Sequence, residues 1–315
     1  MGSKPSGISA SRGAAILGLS KWSTPVEVWL KIMEEREPGF CEANGYEKPE
    51  HETNMVLEMG LAFEDAVCTL AAKKVEYGAE IWKREKFSQH TVLEYVTCHQ
   101  DGEYINCETH GTLHEGKTTS IFYYRDNFGE PGTDRIPQEY AVQVQHQMLC
   151  TGIDECILSV LVFPFRQDTI EEIPADPLKW AAILDEMGYF HQYHIQADPE
   201  LQNKMLEKYR KFWERHVLTG KPPRARTYRD IRRLVKAPQG TIVATKQLER
   251  WSSEYKDIGE EIALANKRKA ELKTNILEFM RTRADVPIDD ESVERWILRD
   301  RKGRRLHSYN GKTFR

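Results

Sequence analysis

The sequence predicts a mixed α/β fold, a central sheet flanked by helices, extended by a helical, coiled-coil-like C-terminal region. Three observations carry this. Helix-spaced apolar stretches open the chain, strand-like runs punctuated by Gly, Asn and Asp fill its middle, and heptad spacing dominates its last quarter.

The 315 residues are 40% hydrophobic and 10% aromatic, enough for a large core. No apolar run approaches the roughly 18–20 residues that span a bilayer, and the opening "MGSKPSGISAS" has no hydrophobic signal region. A membrane protein is therefore not expected, and a cytoplasmic location is. "MGSKPS" fits the loose myristoylation pattern, but it reads better as a flexible start. Cys41, Cys68, Cys98, Cys107, Cys150 and Cys156 form no CxxC pair, which fits reduced and mostly buried thiols. Cys98, His99, Cys107, His110 and His114 cluster in sequence, yet their spacings match no zinc pattern.

The net charge of −4 hides an asymmetry. Residues 204–315 hold 29 Lys/Arg against 16 Asp/Glu, so the rest of the chain is acidic. An acidic part can hold metal ions and a basic part can meet phosphates, although a Lys/Arg-rich solvated helix explains the basic part equally well.

The elements follow in order. "ISASRGAAILG" reads as a short helix with Ser9 as N-cap and Gly18 as its stop. Thr24 and Pro25 restart a helix, residues 37–53 are an irregular loop, and Val56, Met59, Phe63, Val67 and Leu70 mark the next helix. Strand-like runs follow at 79–87, 92–98, 102–106 and 111–117. "QEYAVQVQHQMLCTG" is a helix closed by Gly152, and "ECILSVLVF" is a buried strand with "QDTIEEIP" as its expected partner. Asp176-Pro177 and Asp198-Pro199 each start a helix. Leu248, Trp251, Tyr255, Ile258, Ile262, Ala265, Lys269, Leu272, Ile276 and Phe279 alternate three and four residues apart, a long helix whose seam needs a partner. "ERWILRD" and "RRLHSYN", joined by "RKG", read as a basic terminal hairpin.

One short stretch invites chemistry. "DGEYINCETHGTLHEGK" places Asp101 at a strand end and Glu115 and Lys117 on one face of another strand, with Gly116 pointing the other way. Two carboxylates can hold Mg²⁺, and a nearby lysine can act on water or on phosphate charge. From these residues alone, ordinary hairpin charges are the stronger reading.

Aspartate followed after a gap by Glu-x-Lys resembles the signature of the PD-(D/E)XK nuclease superfamily. "ISASRGAAILGLSKWSTP", "MGLAFEDAV", "CHQDG" and "QVQHQMLCTG", in that order, are similar to stretches of the YqaJ-like viral recombinase family, whose relatives include phage lambda exonuclease. The resemblance covers residue 8 to about 165 and implies a restriction-endonuclease-like core. It implies Glu64, Asp101, Glu115 and the carbonyl of Gly116 as metal ligands, for Mg²⁺ with Mn²⁺ able to substitute. It implies Lys117 and Gln143 as the residues that position the attacking water, and Ser11, Arg12 and His99 as a pocket for a DNA 5′-phosphate. Departures are Gln100 where proline is common, His99 where a small hydroxyl is frequent, and Gly116 where an apolar residue is usual.

The implied division is an exonuclease domain over 1–220, then a basic linker, heptad helix and hairpin over 221–315. The implied activity is Mg²⁺-dependent digestion of linear double-stranded DNA from its ends, 5′ to 3′, leaving 3′ overhangs for recombination. The implied partners are DNA ends, a phage single-strand annealing protein and further copies of the chain in a ring such as a trimer. Two alternatives stand beside this: a Cas4-like or other DNA-repair nuclease of the same superfamily, and a catalytically silent DNA-binding protein. The chain lacks a four-cysteine cluster pattern, which disfavours an iron–sulfur version of the first.

Overall fold

The computed structural model describes residues 6–49, 54–75, 80–82, 87–105, 111–235, 241, 243–283, 296–299, 301–302 and 304–309. They fall into two compact units, Met1–Pro238 and Gln239–Arg315.

The first unit opens with β1 (Ile8–Ser9), α1 (Ala10–Leu17), α2 (Pro25–Arg36), α3 (Phe40–Asn44) and α4 (Met55–Val75). Gly18 ends α1 at φ 79°, a left-handed conformation open to a residue without Cβ. Thr24 and Glu27 close a capping box on α2, with Pro25 at the first helical position. Strands β2 (Glu80–Trp82), β3 (Phe87–Gln89), β4 (Val96–His99), β5 (Gly102–Ile105) and β6 (Leu113–Ser120) come next. Then follow α5 (Ile121–Asn127), α6 (Gln138–Thr151), β7 (Glu155–Phe163), α7 (Pro177–Glu186), β8 (Phe190–Gln196), α8 (Pro199–Phe212) and α9 (Tyr228–Leu234).

The main sheet has the order β2-β5-β6-β7-β8. Only β6 and β7 run parallel, from Leu113↔Cys156 to Ser120↔Phe163, so the sheet is mixed as expected. A smaller sheet, β1-β4-β3, stands beside it. Two helices cover opposite faces of the main sheet. Val144 and Met148 of α6 pack with Leu113, Leu158, Val160 and Val162, whereas Met59, Phe63 and Val67 of α4 pack with Ile157, Leu161 and Phe163. A third core joins α1, α2 and α8 around Trp29, Ile8 and Tyr209.

Two strand expectations fail locally. The run 79–87 supplies two short strands to different sheets. The partner of β7 is β8, not "QDTIEEIP", where Gln167–Thr169 forms a 3-10 turn. Gln167 is buried there and donates to Thr118 Oγ1 at 3.2 Å, so it caps the sheet instead of extending it. Strand β8 was hidden by its polar composition, "FHQYHIQ", in which Phe190, Tyr193 and Ile195 alone are buried. In the expected loop 37–53, α3 forms between Gly39 and Gly45, both at positive φ.

Residues after 220 join the first unit through polar contacts. Thr24 donates to Asp230 at 2.6 Å, and Glu27 lies 3.3 Å from Arg229 and 3.5 Å from Arg233.

The second unit holds α10 (Lys246–Arg283) and the antiparallel pair β9 (Trp296–Arg299) and β10 (Arg305–Tyr309). The heptad residues Trp251, Tyr255, Ile258, Ile262, Leu272 and Phe279 are all exposed. Among the described residues, no helix is long and apolar enough to cross a membrane. The five described cysteines, Cys41, Cys68, Cys98, Cys150 and Cys156, are buried thiols. Of the cysteine–histidine cluster, Cys107 and His110 lie outside the described residues.

Candidate active site

Strand β5 pairs with β6 only at Gly102↔His114 and Glu103↔Leu113. Beyond that point β6 has no partner on its β5 side among the described residues, and that edge carries Glu115, Gly116 and Lys117. Asp101 sits in the bend between β4 and β5, and its Oδ2 accepts the Gly116 amide at 3.2 Å. The carboxylate thus takes over a backbone donor that the departed strand would have paired.

Glu115 and Lys117 point to the α6 side of the sheet. Glu115 is completely buried, which a carboxylate tolerates only when its oxygens are paired. Its Oε1 accepts from Lys117 Nζ and from Gln143 Nε2. Its Oε2 accepts from Gln147 Nε2 at 2.7 Å. Lys117 also lies 5.4 Å from the ring centroid of Tyr140. Tyr140, Gln143 and Gln147 are three and four residues apart, so one stripe of α6 closes the corner.

The charges do not balance within the corner. Burial, then the repulsion of Glu115, raise the Asp101 carboxyl above the ordinary carboxylate range, against the pull of Lys117 and the Gly116 amide. For Lys117, burial opposes the charge, but Glu115 and Asp101 outweigh it and hold the ammonium form firmly. Two carboxylates against one ammonium leave room for a cation with oxygen ligands.

Glu64 occupies the α4 face between Gly60 and Val67, one turn from each. That face packs on β6: a Cβ on Gly116 would meet Val67 Cγ1 at 3.2 Å, and one on Gly60 would meet Thr118 Oγ1 at 3.7 Å. A side chain at Gly116 would therefore be tight against α4, and Val67 would have to give by a few tenths of an ångström. Among the described residues, no three His, Cys, Asp or Glu side chains converge as a metal site. The donor set fits a hard divalent ion in part: Asp101 and Glu115 are together, and Glu64 is not with them.

The three residues of the expected phosphate pocket share one end of the small sheet. Parallel pairing of Ile8↔Val96 and Ser9↔Thr97 brings the start of α1 beside the end of β4. Ser11 and His99 are exposed; Ser11 Oγ lies 3.1 Å from Ser9 Oγ, and His99 stacks obliquely on Phe87. Arg12 is engaged within the chain: its guanidinium forks onto both oxygens of Glu35 and donates to the Gly7 carbonyl at 2.7 Å.

Gln147 and Tyr140 were missed from the sequence. The signal was available in the four-residue spacing of Gln143 and Gln147, but Gln145 between them obscured which amides share a face. Gln145 turns away and donates to the Gln196 carbonyl.

The aspartate at a strand bend and the Glu-x-Lys strand stand as in the PD-(D/E)XK signature, and residues 2–154 match the model of the YqaJ-like viral recombinase domain. Over 219 residues it is 26% identical to the uncharacterized protein YqaJ of Bacillus subtilis (strain 168), across 69% of this chain and 55% of the relative. The chain thus spans little more than half the length of that relative. Among solved structures it is similar to an alkaline exonuclease from Laribacter hongkongensis, at 16% identity and TM-score 0.45, over 68% of this chain and 90% of that one. A phage-related exonuclease from Haemophilus somnus 129PT is similar at 18% identity and TM-score 0.45, over 68% and 96%.

Proposed function

We propose that the chain is a Mg²⁺-dependent deoxyribonuclease that digests linear double-stranded DNA from its ends, 5′ to 3′, and leaves 3′ single-stranded overhangs for recombination. The observation that carries this reading is the corner at Glu115: a buried carboxylate beside Asp101, held by one ammonium and two amides on a free strand edge.

Asp101, Glu115 and the Gly116 carbonyl would hold Mg²⁺, or Mn²⁺ in its place; Glu64 would have to reach them past Gly116 to serve as a third acidic ligand. The bound ion supplies Lewis acidity to the scissile phosphodiester. Lys117 orients the attacking water and offsets the negative charge that grows on the phosphate oxygens. Gln143 fixes Glu115 and helps to orient the same water. Arg12, with Ser11 and His99, receives the terminal 5′-phosphate, which takes the place of Glu35 in the guanidinium fork.

The exposed seam of α10 pairs with a second copy of the chain, consistent with a ring-shaped homo-oligomer such as a trimer, which would keep duplex DNA from leaving sideways. A phage single-strand annealing protein would take the 3′ overhang, in the cytoplasm of a bacterial host. The test is a time course on linear duplexes labelled separately at the 5′ and 3′ ends, beside a closed circle. Early loss of 5′ label with Mg²⁺, and an intact circle, is expected. No release from either end with Mg²⁺ or Mn²⁺ would overturn the reading, and a nicked circle would replace it with an endonuclease.

A further inference from the structure

A second charged site lies away from Glu115, in a cavity of about 620 Å³ walled on one side by Ile16 of α1. Helix α8 does not end cleanly. It widens into a π turn, Trp213–Val217, whose Arg215 and His216 face the cavity with Lys208 and Lys211 from the preceding turns. Arg224 and Arg226 line it from the extended segment that follows. Lys211 pairs with Glu207, and His216 Nδ1 donates to the Lys221 carbonyl at 3.1 Å. Lys208, Arg215, Arg224 and Arg226 form no ion pair with any described carboxylate.

Four uncompensated cations in one concavity repel each other, which costs stability unless an anion is drawn in. Lys208, Lys211 and Arg215 are three and four residues apart, a stripe of roughly 10 Å along one helix face. A phosphate recurs about every 3.4 Å of axis along one DNA strand. The stripe therefore matches a run of about three phosphates better than it matches a single small anion. Buried Phe212 offers no exposed ring on which a base could stack.

We infer that this cleft binds the sugar-phosphate backbone of duplex DNA, independently of base sequence. Helix α1 carries Ser11 and Arg12 at one end and Ile16 at the cleft, so one short helix joins the two regions. The inference rests on the DNA-degrading reading for its substrate, but its test is separate from cleavage.

The full chain carrying Lys208→Gln, Arg215→Gln and Arg224→Gln, all exposed positions, is compared with the unaltered chain. Binding of a labelled linear duplex is followed by fluorescence anisotropy in chelator, from about 50 to 200 mM salt. The slope of log K against log salt should fall in magnitude by about 2.7 in the variant. A control triple at Lys73, Arg125 and Lys179, also exposed, should keep the original slope. Equal slopes in the cleft variant and the unaltered chain overturn the inference, even where the protein hydrolyses DNA with Mg²⁺. A cleft-dependent slope in a protein that hydrolyses nothing supports the inference and removes the nuclease reading. Cleft-dependent binding of a labelled mononucleotide, with duplex binding unchanged, overturns the backbone assignment.

Discussion

Gln147 donates to Glu115 Oε2 at 2.7 Å, from the turn of α6 that follows Gln143. The pair lies fully inside the protein, so removing the amide leaves a buried carboxylate oxygen without its donor. Gln147→Leu should cost about 1–3 kcal/mol, the range for an unsatisfied buried acceptor. Urea unfolding in chelator reads the loss directly. Unchanged stability would mean that Glu115 finds another donor, and that Gln147 has no part in shaping the corner.

Lys117→Ala should lower cleavage about a hundredfold or more while leaving DNA binding in chelator intact, as expected when a group acts on transition-state charge. Asp101→Asn and Glu115→Gln should weaken Mg²⁺ or Mn²⁺ binding as well as rate, because each keeps its shape and loses a charge that a hard cation needs. Titration calorimetry separates the two effects. Unaltered metal affinity in both carboxylate variants would remove them from the metal site.

Arg12 and Glu35 form a bidentate pair, so any terminal phosphate must displace a carboxylate already in the fork. The unaltered protein should digest a 5′-phosphorylated duplex faster than a 5′-hydroxyl one, and Arg12→Ala should erase the difference. A charge-assisted contact of about 1.5–3 kcal/mol corresponds to roughly ten- to a hundredfold in rate. Glu35→Gln should widen the preference by lowering competition for the guanidinium. Equal initial rates on both ends with the unaltered protein would exclude the clamp.

The sheet strands, the capped helices and the Asp101–Glu115–Lys117 group were legible because each depends on local pattern. Alternation along β6 sets which side chains share a face, and Thr24, Gly18 and Gly152 mark helix ends through their own backbone or side-chain chemistry. What stayed hidden depends on packing between distant elements. Gly116 is crowded by Val67, β8 is a strand because β7 offers its edge, and Arg12 is engaged because Glu35 lies a helix away.

His146 offers a pH test clear of the acidic corner. Its Nε2 donates to the Thr97 carbonyl at 2.9 Å, and Tyr209 donates to its Nδ1 at 3.2 Å. Burial holds the ring down to about 4 from the ordinary 6.5, against the raising effect of Thr97, and His90 adds a smaller repulsion. The unfolded chain binds this proton below 6.5 and the folded one does not. The stability it confers is therefore complete above 6.5 and is lost as pH falls toward 4, by about 3 kcal/mol. Asp101 acts in the opposite sense, since its raised value favours the folded state as pH falls. The comparison that isolates His146 is thus the difference between the unaltered protein and His146→Gln, in urea at pH 7.5 and pH 5. A difference that does not change with pH would show the ring to titrate alike in the folded and unfolded chains.

The seam of α10 makes the clearest claim about assembly. Trp251 is 59% exposed, Tyr255 84% and Ile262 55%, although their spacing matches a helix that packs along one stripe. Burying each of these large side chains is worth roughly 1.5–3 kcal/mol. Several such residues per helix would hold two copies together at micromolar concentration once the entropy of association is met. Sedimentation velocity should show the full chain as an oligomer whose mass falls on truncation after residue 236. Truncation removes the hairpin as well, so Trp251→Glu with Ile262→Glu provides a second variant that keeps the tail and charges only the seam. Both should dissociate the oligomer and shorten the track digested per binding event, with little effect on single-turnover cleavage. The same mass and the same processivity in all three proteins would leave α10 without a role in assembly.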